Sequence, residues 1–193
     1  MKPREATPAD VPLIARLHAV GVHEGFLVTL GPAFLQRLYA RVLRSPRAFA
    51  LVVDDAEGPC GFIAVADDIG RFYREFILRD GVVAGVVAIP QIVRAPRYVW
   101  ETLRYGIRRD GDGSAGAEIL AIAVDERAQH QGLGGALTAA AVDEIQRRGI
   151  VSARVVTASG NVAAIKTYEV AGFRQAGTDT VHRGVTQQVL VWP

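Results

Sequence analysis

The sequence predicts an α/β domain, in which a central mixed sheet of six to seven strands carries helices on both faces and a helical insertion separates the third and fourth strands. Three observations predict it. Short apolar runs rich in β-branched residues, AFALVVD, CGFIAVA, AEILAIAVDE and VSARVVTAS, have the length of buried strands. Segments before, between and after them place apolar residues at spacings of three and four, the period of a half-buried helix. The chain has 193 residues of which 50% are hydrophobic, enough for one domain (1–193) with a substantial core.

Taken in order, residues 2–7 predict an edge strand. PADVPLIARLHAVG predicts a helix with Val11, Ile14, Leu17 and His18 on one side and Asp10 near its start. A break at GVHEGF leads to a second helix, GPAFLQRLYARVLRSP, with Phe34, Leu35, Leu38, Tyr39 and Val42 at helical spacing. Gly31 and Pro32 open it and Pro46 closes it. The strands AFALVVD and CGFIAVA flank the turn residues DDAEGP and form a hairpin. Residues 67–116 are too long for a structureless connection, so helices are expected there. RFYREFILRD and RYVWETLRYGI read as helical, and the Gly- and Val-rich piece between them reads as helix or strand. AEILAIAVDE is a buried strand bounded by charges. ALTAAAVDEIQRRG is a helix with Arg147 and Arg148 at the end that favours cations, and Gly149 as a left-handed cap. VSARVVTAS is a strand, and NVAAIKTYEVAGF is a helix capped by Asn161 and Gly172. TVHRGVTQQVLVW closes the chain as a hairpin turning near Arg183 and Gly184.

Bulk properties exclude several classes. The net charge of +2, from 22 basic and 20 acidic residues, is too balanced for a nucleic-acid binder. A single cysteine, Cys60, allows no internal disulfide, and without a Cys/His cluster no metal site is expected. The segment MKPREATPADVP lacks the apolar core of a signal peptide. The most apolar stretch, residues 81–93, is shorter than the roughly 20 residues that cross a bilayer. No membrane association and a cytoplasmic location are therefore expected.

The chemistry concentrates in AQHQGLGGAL, residues 128–137, where Gly132, Gly134 and Gly135 fall between a strand and a helix. A tight turn needs one glycine. Several, placed before a helix whose first amides have no internal partner, make a concavity for a phosphate, and side chains there would hold the phosphate away. The dinucleotide fingerprint G-x-G-x-x-G fails because Leu137 stands at the third glycine, and the P-loop pattern is absent. What fits is Q-x-x-G-x-G, from Gln129 to Gly134. It resembles the acyl-CoA signature of the GNAT superfamily of N-acetyltransferases. The strand ILAIAVDE before it, and N-x-x-A-x-x-x-Y-x-x-x-G-F from Asn161 to Phe173 after it, strengthen the resemblance over residues 118–173.

The resemblance implies a GNAT-like fold, acetyl-CoA as cofactor, and transfer of its acetyl group to a primary amine of a small molecule by direct attack in a ternary complex. It implies a cleft between splayed parallel strands 118–125 and 151–158. The pantetheine would pair with the backbone of Ile122, Ala123 and Val124. The pyrophosphate would lie on the amides of Gln129, His130, Gln131, Gly132, Leu133, Gly134, Gly135 and Ala136. The Val124 amide would stabilise the oxyanion. Tyr168 would serve the leaving thiol, and Asn161 would meet the CoA arm or cap its helix. Some members carry a glutamate on the strand before the Asn helix; Val155, Val156 and Thr157 leave that role vacant here. Glu118 or a water chain is the expected base, with Glu24 and His23 as further candidates. His23, Glu24 and Phe26, in the break between the first helices, are the expected acceptor contacts.

The insertion departs from the family pattern. It mixes Arg71, Arg74, Arg79, Arg94, Arg97, Arg104, Arg108 and Arg109 with aromatic residues. Solvated arginines on amphipathic helices, with a homodimer interface allowed, are favoured over a lid that selects an anionic acceptor. Two other functions stay open: a peptide N-terminal or lysine acetyltransferase, and a non-catalytic acyl-CoA-binding module.

Overall fold

The computed structural model describes residues 1–22, 26–94, 116–181 and 185–193. The sheet has seven strands: β1 (Arg4–Glu5), β2 (Ala48–Asp55), β3 (Gly58–Ala66), β4 (Ala117–Val124), β5 (Ala153–Ala158), β6 (Arg174–Val181) and β7 (Val185–Trp192). Their spatial order is β1-β2-β3-β4-β5-β7-β6. Among the described residues only β4 and β5 run parallel, and that pair makes the sheet mixed. The helices are α1 (Val11–Gly21), α2 (Phe26–Thr29), α3 (Pro32–Arg44), α4 (Ile69–Arg94), α5 (Leu133–Arg147) and α6 (Val162–Val170).

Two apolar cores form because β2 to β4 are apolar on both faces. On one face Ile14 of α1, Leu35 and Tyr39 of α3 and Phe72 of α4 close over Val52, Phe62 and Ala123. On the other, Leu137 and Ile145 of α5 and Tyr168 of α6 close over Ile63, Ile119, Val155 and Leu190. Each fully buried large aliphatic or aromatic side chain contributes about 1.5–3 kcal/mol of transfer free energy. The helical spacings read from the sequence are the buried positions: Val11, Ile14, Leu17 and His18 in α1, and Phe34, Leu35, Leu38, Tyr39 and Val42 in α3. Asp10 holds the entry to α1, accepting from the Thr7 amide at 2.7 Å and from Arg4 at 2.9 and 3.0 Å.

The insertion begins as one helix. The Gly- and Val-rich piece left open above continues α4 without interruption. The first turns of α4 dock on α3: Arg41 Nε reaches Asp80 Oδ2 at 2.5 Å, Ser45 Oγ just after α3 donates to Glu75 Oε2 at 2.7 Å, and Phe76 meets Phe34 edge to face. Arg71 and Arg79 are largely exposed and pair locally, with Asp68 just before α4 and with Glu75 within it. The second expected helix, RYVWETLRYGI, lies outside the described residues, as does the turn at Arg183 and Gly184. Among the described residues no helix is long and apolar enough to cross a membrane.

Candidate active site

The sheet opens where the site is expected. β4 and β5 are in register only at Ala117 with Ala153 and Glu118 with Arg154. Beyond that rung the strands part. Ile122, Ala123 and Val124 pair with Ile63, Phe62 and Gly61 of β3 and have no pairing partner on β5. An irregularity between Ala64 and Val65 inserts one extra residue, Leu120, into β4, and such bulges increase local twist.

The glycine stretch sits at the open end of this fork. A short turn, Glu126–Ala128, is capped by the Asp125 side chain. His130 and Gly132 both adopt left-handed backbone, with φ of 61° and 76°. Gly132 is the N-cap of α5, so Gly134 and Gly135 lie inside the helix, which starts three residues before the expected ALTAAAV. Both ends of the expected anion-binding run are satisfied internally. The Gln129 amide donates to Glu126 O at 3.3 Å, and the Ala136 amide to Gly132 O at 3.0 Å. The Gln129 side chain reaches back to Val124 O at 3.2 Å, bracing the loop against the strand end. Among the described residues the amides of His130, Gln131, Gly132, Leu133, Gly134 and Gly135 meet no backbone carbonyl. Six adjacent free donors on a helix N-terminus suit a pyrophosphate.

Close internal packing does not account for these glycines. A Cβ added at Gly132 or Gly135 would meet nothing within 4 Å, and one at Gly134 would make only ordinary contact with Thr167. The space beside the free amides is open, as a ligand that approaches main chain requires. A bound phosphate chain therefore fits the residues present.

Tyr168 comes from α6, which Asn161 caps by accepting from the Ala164 amide at 3.1 Å. The cap expected of Asn161 is formed, and its side-chain amide nitrogen is left over. Tyr168 is only 3% exposed, packed beside Phe173 on the α5 face. No hydrogen bond satisfies its hydroxyl among the described residues. Burial raises its phenol well above the ordinary value, so it stays protonated at neutral pH.

Glu118 is placed differently from the base expected above. It is 6% exposed at the closed end of the fork, and its Oε2 accepts from Arg154 Nε at 2.8 Å. A carboxylate engaged in this way is a clasp between strands and a poor free base. The sequence reading missed Arg154; the available signal was that both residues stand second in their strands. It also missed Arg127, whose guanidinium pairs with Asp55 (3.4 Å) and Glu57 of the β2–β3 hairpin and fixes the turn before the loop. His23 and Glu24 lie outside the described residues; Phe26 opens α2.

A fork in a mixed sheet, with a run of amides that meet no backbone carbonyl at its mouth, makes an α/β domain suited to a ligand that carries phosphate. The acetyltransferase (GNAT) family model matches residues 23–173, and the chain belongs to that family. Its cofactor is acetyl-CoA. Among curated relatives, the mycothiol acetyltransferase of Corynebacterium urealyticum is 28% identical over 91 residues, which is 47% of this chain and 27% of that protein. The [ribosomal protein bS18]-alanine N-acetyltransferase of Escherichia coli is 42% identical over 60 residues, 31% of this chain and 40% of that protein. The chain thus aligns with well under half the length of these relatives. The crystal structure of the ribosomal-protein-S18-alanine N-acetyltransferase from Escherichia coli is similar with a TM-score of 0.62 at 16% identity, covering 100% of this chain and 92% of that one. At that identity the likeness is one of fold.

Proposed function

We propose that this protein is an N-acetyltransferase that transfers the acetyl group of acetyl-CoA to a primary amine of a small molecule, by direct attack in a ternary complex. The observation that carries the reading is the run of six unpartnered amides, His130 to Gly135, facing open space at the mouth of the fork. The mycothiol acetyltransferase relatives support a small-molecule acceptor, and the ribosomal-protein alanine acetyltransferase relatives keep a peptide N-terminus as the second reading.

The cofactor supplies an acyl group already activated as a thioester. The unpaired edge of Ile122, Ala123 and Val124 holds its arm, and the free amides hold its pyrophosphate. The left-over amide of Asn161 adds a donor near the arm. A main-chain amide at Val124 stabilises charge on the carbonyl oxygen. Tyr168 directs its hydroxyl proton to the departing sulfur. With a phenol raised by burial, it acts more by a strong hydrogen bond than by full proton release. The acceptor must arrive as a free amine, because an alkyl ammonium with a pKa near 10.4 has no lone pair. With Glu118 clasped, solvent in the open fork takes that proton. A cytoplasmic location is part of the same proposal and agrees with one buried, unpaired cysteine.

Tyr168→Phe tests the reading, since it removes the hydroxyl and keeps the buried ring. It is expected to lower kcat by about 100-fold or more while leaving the acetyl-CoA Kd unchanged. Wild-type turnover in the variant would remove Tyr168 from the chemistry.

A further inference from the structure

The fork is bordered by main chain, and the hydrogen bonds of each strand tell which groups face it. The Ser159 amide donates to Thr186 O at 3.0 Å and continues the antiparallel register of β5 with β7. Hydrogen-bonded pairs alternate along such a ladder, so Thr157 with Gln188, Val155 with Leu190 and Ala153 with Trp192 are bonded in the same way. Arg154, Val156 and Ala158 therefore turn their N–H and C=O groups to the other edge of β5, toward β4. At Arg154 the last parallel rung meets them. Beyond that rung β4 does not. The Ala158 carbonyl accepts from the Asn161 amide at 2.9 Å. Both polar groups of Val156, and the Ala158 amide, have no partner among the described residues.

The facing edge of β4 follows from the same rule. The Asp125 amide donates to Cys60 O at 2.7 Å, so Ala123 is bonded to Phe62 of β3, and Ile122 and Val124 turn toward the opening. The fork thus has two hydrogen-bonding edges. The donor arm takes that of β4, and that of β5 is left over.

Ala158 is buried and Val156 half-buried, where an unmet main-chain group costs free energy. Val156 offers one donor and one acceptor side by side, as an edge strand does. The ligand that answers both is an amide, laid along the strand. A plain alkyl amine has no carbonyl for the Val156 N–H. Val156 is two residues past the closed rung, or about 7 Å of strand. An amine joined to the paired amide by one carbon stays within that short opening.

We infer that the acceptor is an α-aminoacyl amide, an amine set one carbon from an amide, and that this amide pairs with the main chain of Val156. The inference rests on the acetyltransferase reading above. The α-amine, free of its proton, forms the new C–N bond as the C–S bond of the thioester breaks, and the sulfur leaves with a proton as the CoA thiol.

The test measures thiol release from acetyl-CoA with alaninamide, alanine methyl ester, trialanine amide and isopropylamine. Rates are expressed per free amine, because an α-amine with a pKa near 8 sheds its proton more readily than an alkyl amine near 10.4. Alaninamide should exceed isopropylamine in kcat/KM by about tenfold or more. The ester keeps the carbonyl and lacks the N–H, so it should fall about fivefold below alaninamide. A faster trialanine amide would make the source a peptide N-terminus, and a slower one a free aminoacyl amide. Val156→Pro removes an N–H that faces the fork and breaks no bond of the β7 ladder. With its fold checked by the unfolding midpoint, this variant should lower the ratio of alaninamide to isopropylamine about fivefold. Equal rates for amide and ester, or for alaninamide and isopropylamine, would overturn the inference and leave the acetyltransferase reading in place. So would a folded Val156→Pro that keeps the ratio and binds acetyl-CoA more weakly, since the edge would then belong to the donor arm. Failure of wild type to bind acetyl-CoA, seen as an unmoved unfolding midpoint, would remove that reading and the inference together.

Discussion

Glu118 and Arg154 are the last residues of β4 and β5 to face each other across the parallel ladder, and an ion pair of 2.8 Å joins them at the point where the strands part. The pair closes the apex of the fork, and its removal should be felt there first.

Arg154→Ala removes the cation from which Glu118 Oε2 accepts. Losing this contact at a nearly buried carboxylate should lower stability by about 1–3 kcal/mol, measurable by urea unfolding. Glu118→Gln keeps the shape of the side chain and removes its basicity. Turnover within about threefold of wild type is expected if Glu118 is a clasp, whereas a general base would cost about 100-fold or more.

Gly135→Ala separates folding from binding. The residue is in the first turn of α5, where a Cβ meets nothing within 4 Å, so stability should hold or rise by about 0.5 kcal/mol through helix propensity. The Cβ would stand beside the free amides, and Gly135→Val would fill that space further. Acetyl-CoA affinity should fall in the order Gly, Ala, Val, read by calorimetry. Unchanged affinity in Gly135→Val would mean that the pyrophosphate is held elsewhere.

Acid should destabilise the protein in two stages. His18 is 3% exposed, stacked on Phe62 and 2.5 Å from the Tyr39 hydroxyl, and burial pushes its pKa down to about 4. Between about 6.5 and 4 the unfolded chain binds a proton at this histidine that the folded chain refuses. Stability therefore falls as pH drops through that window, by on the order of 3 kcal/mol. Asp10 acts lower. Its bond to Arg4 holds its pKa near about 2, so the stability it contributes is complete above about pH 4 and is lost as pH falls toward 2. Urea midpoints from pH 7 to pH 3 should show the first slope, and His18→Gln should flatten it. An identical slope in the variant would assign the first stage to other groups.

Local signals in the sequence carried much of this fold. Asn161 as a cap with Gly149 and Gly172 in left-handed backbone, and the buried stripe of α3, follow from short-range chemistry that a sequence displays directly. The piece GVVAGVVAIPQIV stayed ambiguous because valine favours strands and proline breaks helices. In the fold it continues the helix that opens at Ile69, and Ala84 is buried in the core with α1 and α3. Helix α5 was read three residues short because glycines argue for a turn, although here they form the helix start that leaves amides free. Glu118 looked like a candidate base because its partner is 36 residues away, and only the parallel register reveals it. Likewise, only coordinates could show that the open amides end at Gly135, since the Gln129 and Ala136 amides bond to carbonyls of their own turns.

The most direct test of the central claim is thermal unfolding in the presence of saturating acetyl-CoA, CoA, ATP or NAD. At 100 times Kd, a ligand specific to the native state adds about 2.7 kcal/mol, or roughly 5–10 °C for a chain of this size. The account predicts that acetyl-CoA and CoA raise the midpoint by that amount in wild type, by far less in Gly135→Val, and that ATP and NAD leave it in place. An unmoved midpoint with acetyl-CoA, or a larger rise with ATP or NAD, would contradict the assignment of the His130–Gly135 amides to acetyl-CoA.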